Sequence, residues 1–114
     1  MSINKVKGAV WDNEDNNAAF FPENTYSLSS TDLDPNNGTI QYTALSGATT
    51  FTESFVEGES MTFMVNPNSI NPTWPSGMKW IGGSAPTLED GDYNVIVFWK
   101  ANGQFYGNYI GLVG

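Results

Sequence analysis

Histidine, arginine and cysteine are all missing from this 114-residue chain. Without cysteine there is no disulfide, no thiol nucleophile and no thiolate-held metal, although its absence does not fix a redox compartment. Without histidine there is no His-based catalytic triad and no imidazole–metal site. Basic charge is scarce as well: four lysines stand against twelve acidic residues, for a formal net charge of −8. So acidic a chain repels phosphate backbones and anionic lipid, and neither a nucleic acid nor a membrane is expected as its partner. Long apolar runs are also lacking. The longest covers about five residues, where a bilayer span needs about 20. The opening MSINKVKGAVWDNEDNN holds two lysines but no apolar stretch of signal-peptide length. The chain therefore reads as a complete frame, made in the cytoplasm from its own methionine. No GxSxG is present, and Gly82-Gly83 lacks the Lys-Ser/Thr that a phosphate-cradling loop requires.

What is there is aromatic and turn-rich. Aromatic residues make up 14% of the chain, with 12 glycines and 6 prolines, which excludes a disordered tail and fits one modest domain. The clearest signal lies in residues 93–111, YNVIVFWKANGQFYGNYIG. Asn102-Gly103 separates two β-rich runs and is the dipeptide that best tolerates positive φ at both centres of a type I′ turn. A two-residue loop sets Ala101 opposite Gln104, Trp99 opposite Tyr106, Val97 opposite Asn108 and Val95 opposite Ile110. Phe98 then lies opposite Gly107, where no side chain competes with the ring. Residues 93–99 are apolar on both faces, so the strand is expected to be covered on one side by a second sheet and on the other by another segment or subunit.

Period-two patterning predicts further strands at 39–44, 49–55 (Phe51 and Phe55 sharing a face) and 60–66, where Met61, Phe63 and Val65 share one. A short strand near Trp74, another over 77–81 and a brief one at Thr87-Leu88 complete the set. Residues 1–36 are weakly patterned: an N-terminal arm with one or two short strands, either part of the same domain or partner-binding. Residues 37–114 form the core. No segment has helical periodicity and no internal repeat stands out. The expected fold is all-β, a single antiparallel β-sandwich of jelly-roll type.

The carboxylates cluster at Asp12, Glu14 and Asp15; Asp32 and Asp34; Glu57 and Glu59; and Glu89, Asp90 and Asp92. All four clusters fall in predicted turns, where solvation is the ordinary state, so they are read as solvated and not as an acid–base pair. Asp32 to Gly38 resembles a calcium loop only in part. Its glycine comes one position late, and Thr43 stands where an EF-hand has its bidentate Glu. It is read as a turn. Asn37-Gly38-Thr39 has the glycosylation spacing but no secretory context, and is read as a turn too. No catalytic residue, no cofactor and no metal are assigned. Most of the aromatic set is expected in the core. Trp74, in a Pro-bounded loop, is expected to be exposed and is the candidate glycan contact.

The residues Tyr42 to Leu45, Phe51 to Phe55, Glu57-Gly58-Glu59-Ser60, Thr73-Trp74-Pro75, Lys79-Trp80-Ile81-Gly82-Gly83, Ala85-Pro86-Thr87-Leu88, Val95 to Lys100 and Tyr106-Gly107 form an ordered train. It resembles the train of bacteriophage virion β-domains, found as the C-terminal sandwich of tail-fibre and other virion structural proteins or as small separate proteins. It covers about residues 37–111. The resemblance implies a virion protein without enzymatic activity, and a free-standing chain of this size suits a capsid decoration (cement) protein that adds buried area across neighbouring capsid subunits. Its expected partners are the major capsid protein or other virion subunits and two further copies in a homotrimer. The expected contacts are Ile3, Val6 and Trp11 in the arm, with Tyr106 and Tyr109 in the hairpin. The alternatives are a tail-fibre or spike component that recognises host-surface glycan, and a soluble carbohydrate-binding module.

Overall fold

The computed structural model describes residues 22–114. Their strands are β1 (Thr25–Ser27), β2 (Asp32–Leu33), β3 (Ile40–Ala44), β4 (Thr52–Glu53), β5 (Ser60–Asn66), β6 (Lys79–Trp80), β7 (Asn94–Ala101) and β8 (Gln104–Leu112), with one 3₁₀ turn at Pro35–Asn37. Six form a sheet in the order β1-β3-β5-β7-β8-β6, while β2 and β4 pair separately. The protein is all-β.

The sheet is mixed, not antiparallel as the sequence suggested. β1–β3, β3–β5 and β6–β8 run parallel, whereas β5–β7 and β7–β8 run antiparallel. Parallel neighbours need a crossover long enough to bring the chain back to the same end. Here the crossovers are themselves extended chain. The link from β1 to β3 contains β2, and the link from β3 to β5 contains β4. β2 and β4 pair in parallel in their turn, and Thr50 bridges Thr73 in the same sense. Phe51 N–H donates to the Thr73 carbonyl at 2.8 Å, and Thr73 N–H to that of Thr49 at 2.9 Å. The chain thus winds alternately through the large sheet and the small one before the final hairpin.

That hairpin forms as its sequence predicts. Asn102 and Gly103 have φ of 54° and 75°, and the pairs Ala101–Gln104, Trp99–Tyr106, Phe98–Gly107 and Val97–Asn108 are all in register. The register then shifts. Val95 lies opposite Gly111 instead of Ile110, and Ile96 opposite Tyr109, so Ile110 is the extra residue of a bulge. Neither 49–55 nor 77–81 pairs along its full length; only β4 and β6 do so. Thr87-Leu88 is not a strand at all. Just beyond it the Asn94 side chain takes the place of a ladder: its Oδ1 accepts from Glu89 N–H at 3.0 Å and its Nδ2 donates to the Glu89 carbonyl at 2.8 Å.

One core lies against the sheet's inner face. Met61, Phe63 and Val65 of β5, Ile96 and Phe98 of β7 and Phe105 of β8 meet Leu33, Phe51, Phe55 and Trp74 from the winding segments. Phe51 stacks on Trp74 with centroids 5.3 Å apart and meets Phe63 edge-on at 5.4 Å. Trp80 crosses Gly107, the residue it pairs with, and meets Phe98 at 6.0 Å. The space left by Gly107 thus serves Trp80 and Met78, whose atoms come within 2.9 Å of where a Cβ would stand.

Candidate interaction surface

The other face of the large sheet bears no layer among the described residues. Strand alternation decides what it shows. β7 sends Asn94, Ile96 and Phe98 inward and Val95, Val97 and Trp99 outward. β5 turns Ser60, Thr62 and Met64 out. β3 buries polar Gln41 and turns Ile40, Tyr42 and Ala44 out. That orientation places the apolar set of β3 away from the core. It is possible because Gln41 Nε2 donates to the carbonyls of Asp34 at 2.7 Å and Gly38 at 2.9 Å.

Register sorts these outward residues into rows across the sheet. One row is Ser27, Tyr42, Met64, Val95 and Gly111; the next is Thr25, Ile40, Thr62, Val97 and Asn108; the third is Ser60, Trp99, Tyr106 and Lys79. Trp99 and Tyr106 stack with centroids 5.6 Å apart and ring planes 19° apart. Tyr42 is exposed; Ile40, Met64, Val95, Val97, Trp99 and Tyr106 are half-buried by their neighbours. No outward residue of β1, β3, β5, β7 or β8 is acidic. Lys79 stands at one edge, and Glu23 at the margin accepts a 2.7 Å hydrogen bond from the Thr39 hydroxyl.

Asp12, Glu14 and Asp15 lie outside the described residues; of the other acidic groups, several are bonded to protein instead of merely solvated, and Asp32 and Glu53 stand in strands and not in turns. Glu57 accepts the N–H groups of Asn102 and Gly103, the latter at 3.0 Å, and so caps the hairpin tip. These two bonds, Gly103's foremost, hold its carboxyl below the ordinary 4.5. Asp90 accepts the N–H of Ser69 at 2.6 Å and its hydroxyl at 2.8 Å. Asp32 accepts from the hydroxyls of Thr52 and Ser54 at 2.7 and 2.6 Å. Asp34 caps the 3₁₀ turn through Asn36 N–H, so residues 34–38 are a turn, as read from the sequence, whereas Asp32–Leu33 form β2 instead. Glu53 pairs with Lys100 at 3.2 Å. No group of three or more acidic side chains able to hold a metal is found among the described residues.

The contact residues expected from sequence are scattered. Ile3, Val6 and Trp11 lie outside the described residues. Tyr106 is on the outer face. Tyr109, three positions on, belongs to the inner face and packs against the core, so the two do not share a surface. Its hydroxyl donates to Asn94 Oδ1 at 2.6 Å; burial, with a smaller contribution from Glu89, raises its pKa above the ordinary 10.0. Trp74 is not the exposed loop residue expected. Only 9% of its surface is accessible, because Phe51, Phe63, Phe98 and Trp80 surround it. The groove beside it, lined by Thr50, Thr52, Glu53 and Ser76, offers hydroxyls but no free aromatic face. Ile40, Tyr42 and Met64 were not singled out from sequence. The period-two patterns of β3 and β5 carried their signal, but only the parallel β3–β5 and antiparallel β5–β7 registers bring them into rows with Val95 and Val97.

Comparisons of the chain with family models, with curated proteins and with solved structures give no match.

Proposed function

We propose that this chain is a structural protein of a bacteriophage virion, a capsid decoration protein that binds other subunits and performs no chemistry of its own. The motif train is the reason for looking to a virion. The observation that carries an interaction role is the open sheet face, where Tyr42, Val97, Trp99 and Tyr106 lie in rows without an acidic side chain in a strongly acidic protein. Apolar residues presented together on one face indicate a contact surface more than scattered ones do. The train's residues also have mechanical duties. Phe51, Phe55, Trp74 and Trp80 fill or flank the core, Gly107 admits Trp80, and Glu57 caps the hairpin. Each of these builds a rigid shell. For the finer fold class we read the two sheets and their common core as a lopsided β-sandwich. A jelly roll suits it less well, because four of the strand pairings are parallel.

A decoration protein adds buried area between neighbouring capsid subunits and so opposes the pressure of packaged DNA. Locating the chain on intact particles by electron microscopy tests this. Hundreds of copies over the shell are expected; a handful at the tail would instead make it a fibre component, and absence from particles would refute a virion role. The glycan-binding alternatives lose their candidate platform with the burial of Trp74.

A further inference from the structure

We infer that the outer sheet face is a self-association surface, on which the same face of another copy of this chain packs. The inference stands on the sheet alone and does not depend on the virion reading. Charge is its first support. Two chains of net charge −8 repel unless the contact is placed where the charge is not. Every outward position of β3, β5, β7 and β8 is apolar or uncharged. Lys79, aligned with these rows, and Glu23, which lines the same hollow as Ser60, Thr62 and Val97, give the face one charge of each sign, so two such faces meet with far fewer carboxylates than the turns carry.

Area is the second support. Five strands at about 4.8 Å spacing, each contributing about 20 Å of length, give a face on the order of 500 Å² in plan. Two faces together cover on the order of 1,000 Å², the lower bound for a specific pair. Composition fits as well. Trp99 and Tyr106 form a rigid stacked pair on one side of the face, with Met64 and Tyr42 at the other. Aromatic residues and methionine are the types enriched in the centres of interfaces. A contact between like faces closes about a two-fold axis, so the assembly it makes is a dimer.

Light scattering on the full chain across micromolar concentrations tests this. The expected mass is twice that of one chain. Trp99→Glu and Thr62→Lys each place a charge in the middle of the face and should weaken association by about a hundredfold or more. Ser76→Glu, in the groove beside Trp74, should leave it unchanged. Circular dichroism checks that each variant keeps its β-structure. Should Trp99→Glu fail to fold, Thr62→Lys gives the reading alone, since its side chain points away from the core. A wild-type monomer at high micromolar concentration would overturn the inference and leave the face to a different protein or to residues 1–21. An oligomer indifferent to both face variants would overturn it too, by placing the contact elsewhere. Absence from virions would leave it untouched.

Discussion

Glu57 shows how much one side chain can do at the tip of a hairpin. The turn Asn102-Gly103 leaves two N–H groups facing outward, and the carboxylate from a separate loop accepts both. Because these bonds favour the ionised form, its pKa is lower folded than unfolded. The contribution is therefore present above the ordinary 4.5 and is lost as pH falls through the folded value. Relative to the intrinsic exchange rate at each pH, protection of the Asn102 and Gly103 amides should fall in that acid window, and in Glu57→Gln it should already be lower at neutral pH and change less with pH. Gly107 makes a different demand. A Cβ there would stand 2.8 Å from the ring of Trp80, which is rigid and wedged against Phe98 and Trp74. Gly107→Ala should cost about 1–3 kcal/mol by overpacking, measured by urea unfolding. Trimming Trp80 alongside it should recover less than the full loss, because the indole also fills the core.

At the scale of the element, β3 is the instructive strand. Its neighbours run parallel to it on both sides, and its inward position is taken by a glutamine. Gln41 ties β3 to the 3₁₀ turn through the Asp34 and Gly38 carbonyls, while its Oε1 has no partner among the described residues. Gln41→Leu would relieve that unmatched oxygen but take the side-chain donor from the Gly38 carbonyl and one of two donors from that of Asp34, which keeps the Asn37 N–H, and buried unpaired groups cost more than a made bond returns. A net loss of about 1–3 kcal/mol is expected, read by thermal or urea unfolding. The β7–β8 hairpin behaves differently. Its turn, pairing and faces follow from local chemistry, and only its far end departs, where the bulge at Ile110 shifts Val95 onto Gly111. Local rules hold near the turn that imposes them, and lose authority as other strands begin to constrain the pair.

For the whole molecule, charge and core act against each other. The carboxylates are spread over the turns and the winding segments, so the compact state carries self-repulsion that unfolding relieves. Raising salt from low to physiological strength should increase the melting temperature by screening it, as read by differential scanning fluorimetry; a fall would show that ion pairs such as Glu53–Lys100 outweigh the repulsion. The core, in contrast, concentrates aromatic rings. Phe63 touches Phe51, Trp74 and Phe98 and has no accessible surface. Phe63→Ala should cost about 3–5 kcal/mol, measured by chemical denaturation, a large part of what a small domain possesses.

By itself the sequence determined the β character, the type I′ hairpin with its near-turn register, the shared face of Met61, Phe63 and Val65, the opposite faces of Tyr106 and Tyr109, and the placing of Glu57 and Asp90 in turns. Each of these follows from alternation, from positive φ or from solvation, which act over a few residues. Only the tertiary structure decided that the sheet is mixed, that Trp74 is enclosed, that the face of Tyr109 and not that of Tyr106 meets the core, and that Ile40 and Tyr42 join Val97 and Trp99 on one surface. Those outcomes depend on which strands become neighbours. That choice is made by long crossovers and a common core, whose energies come from residues far apart in the chain.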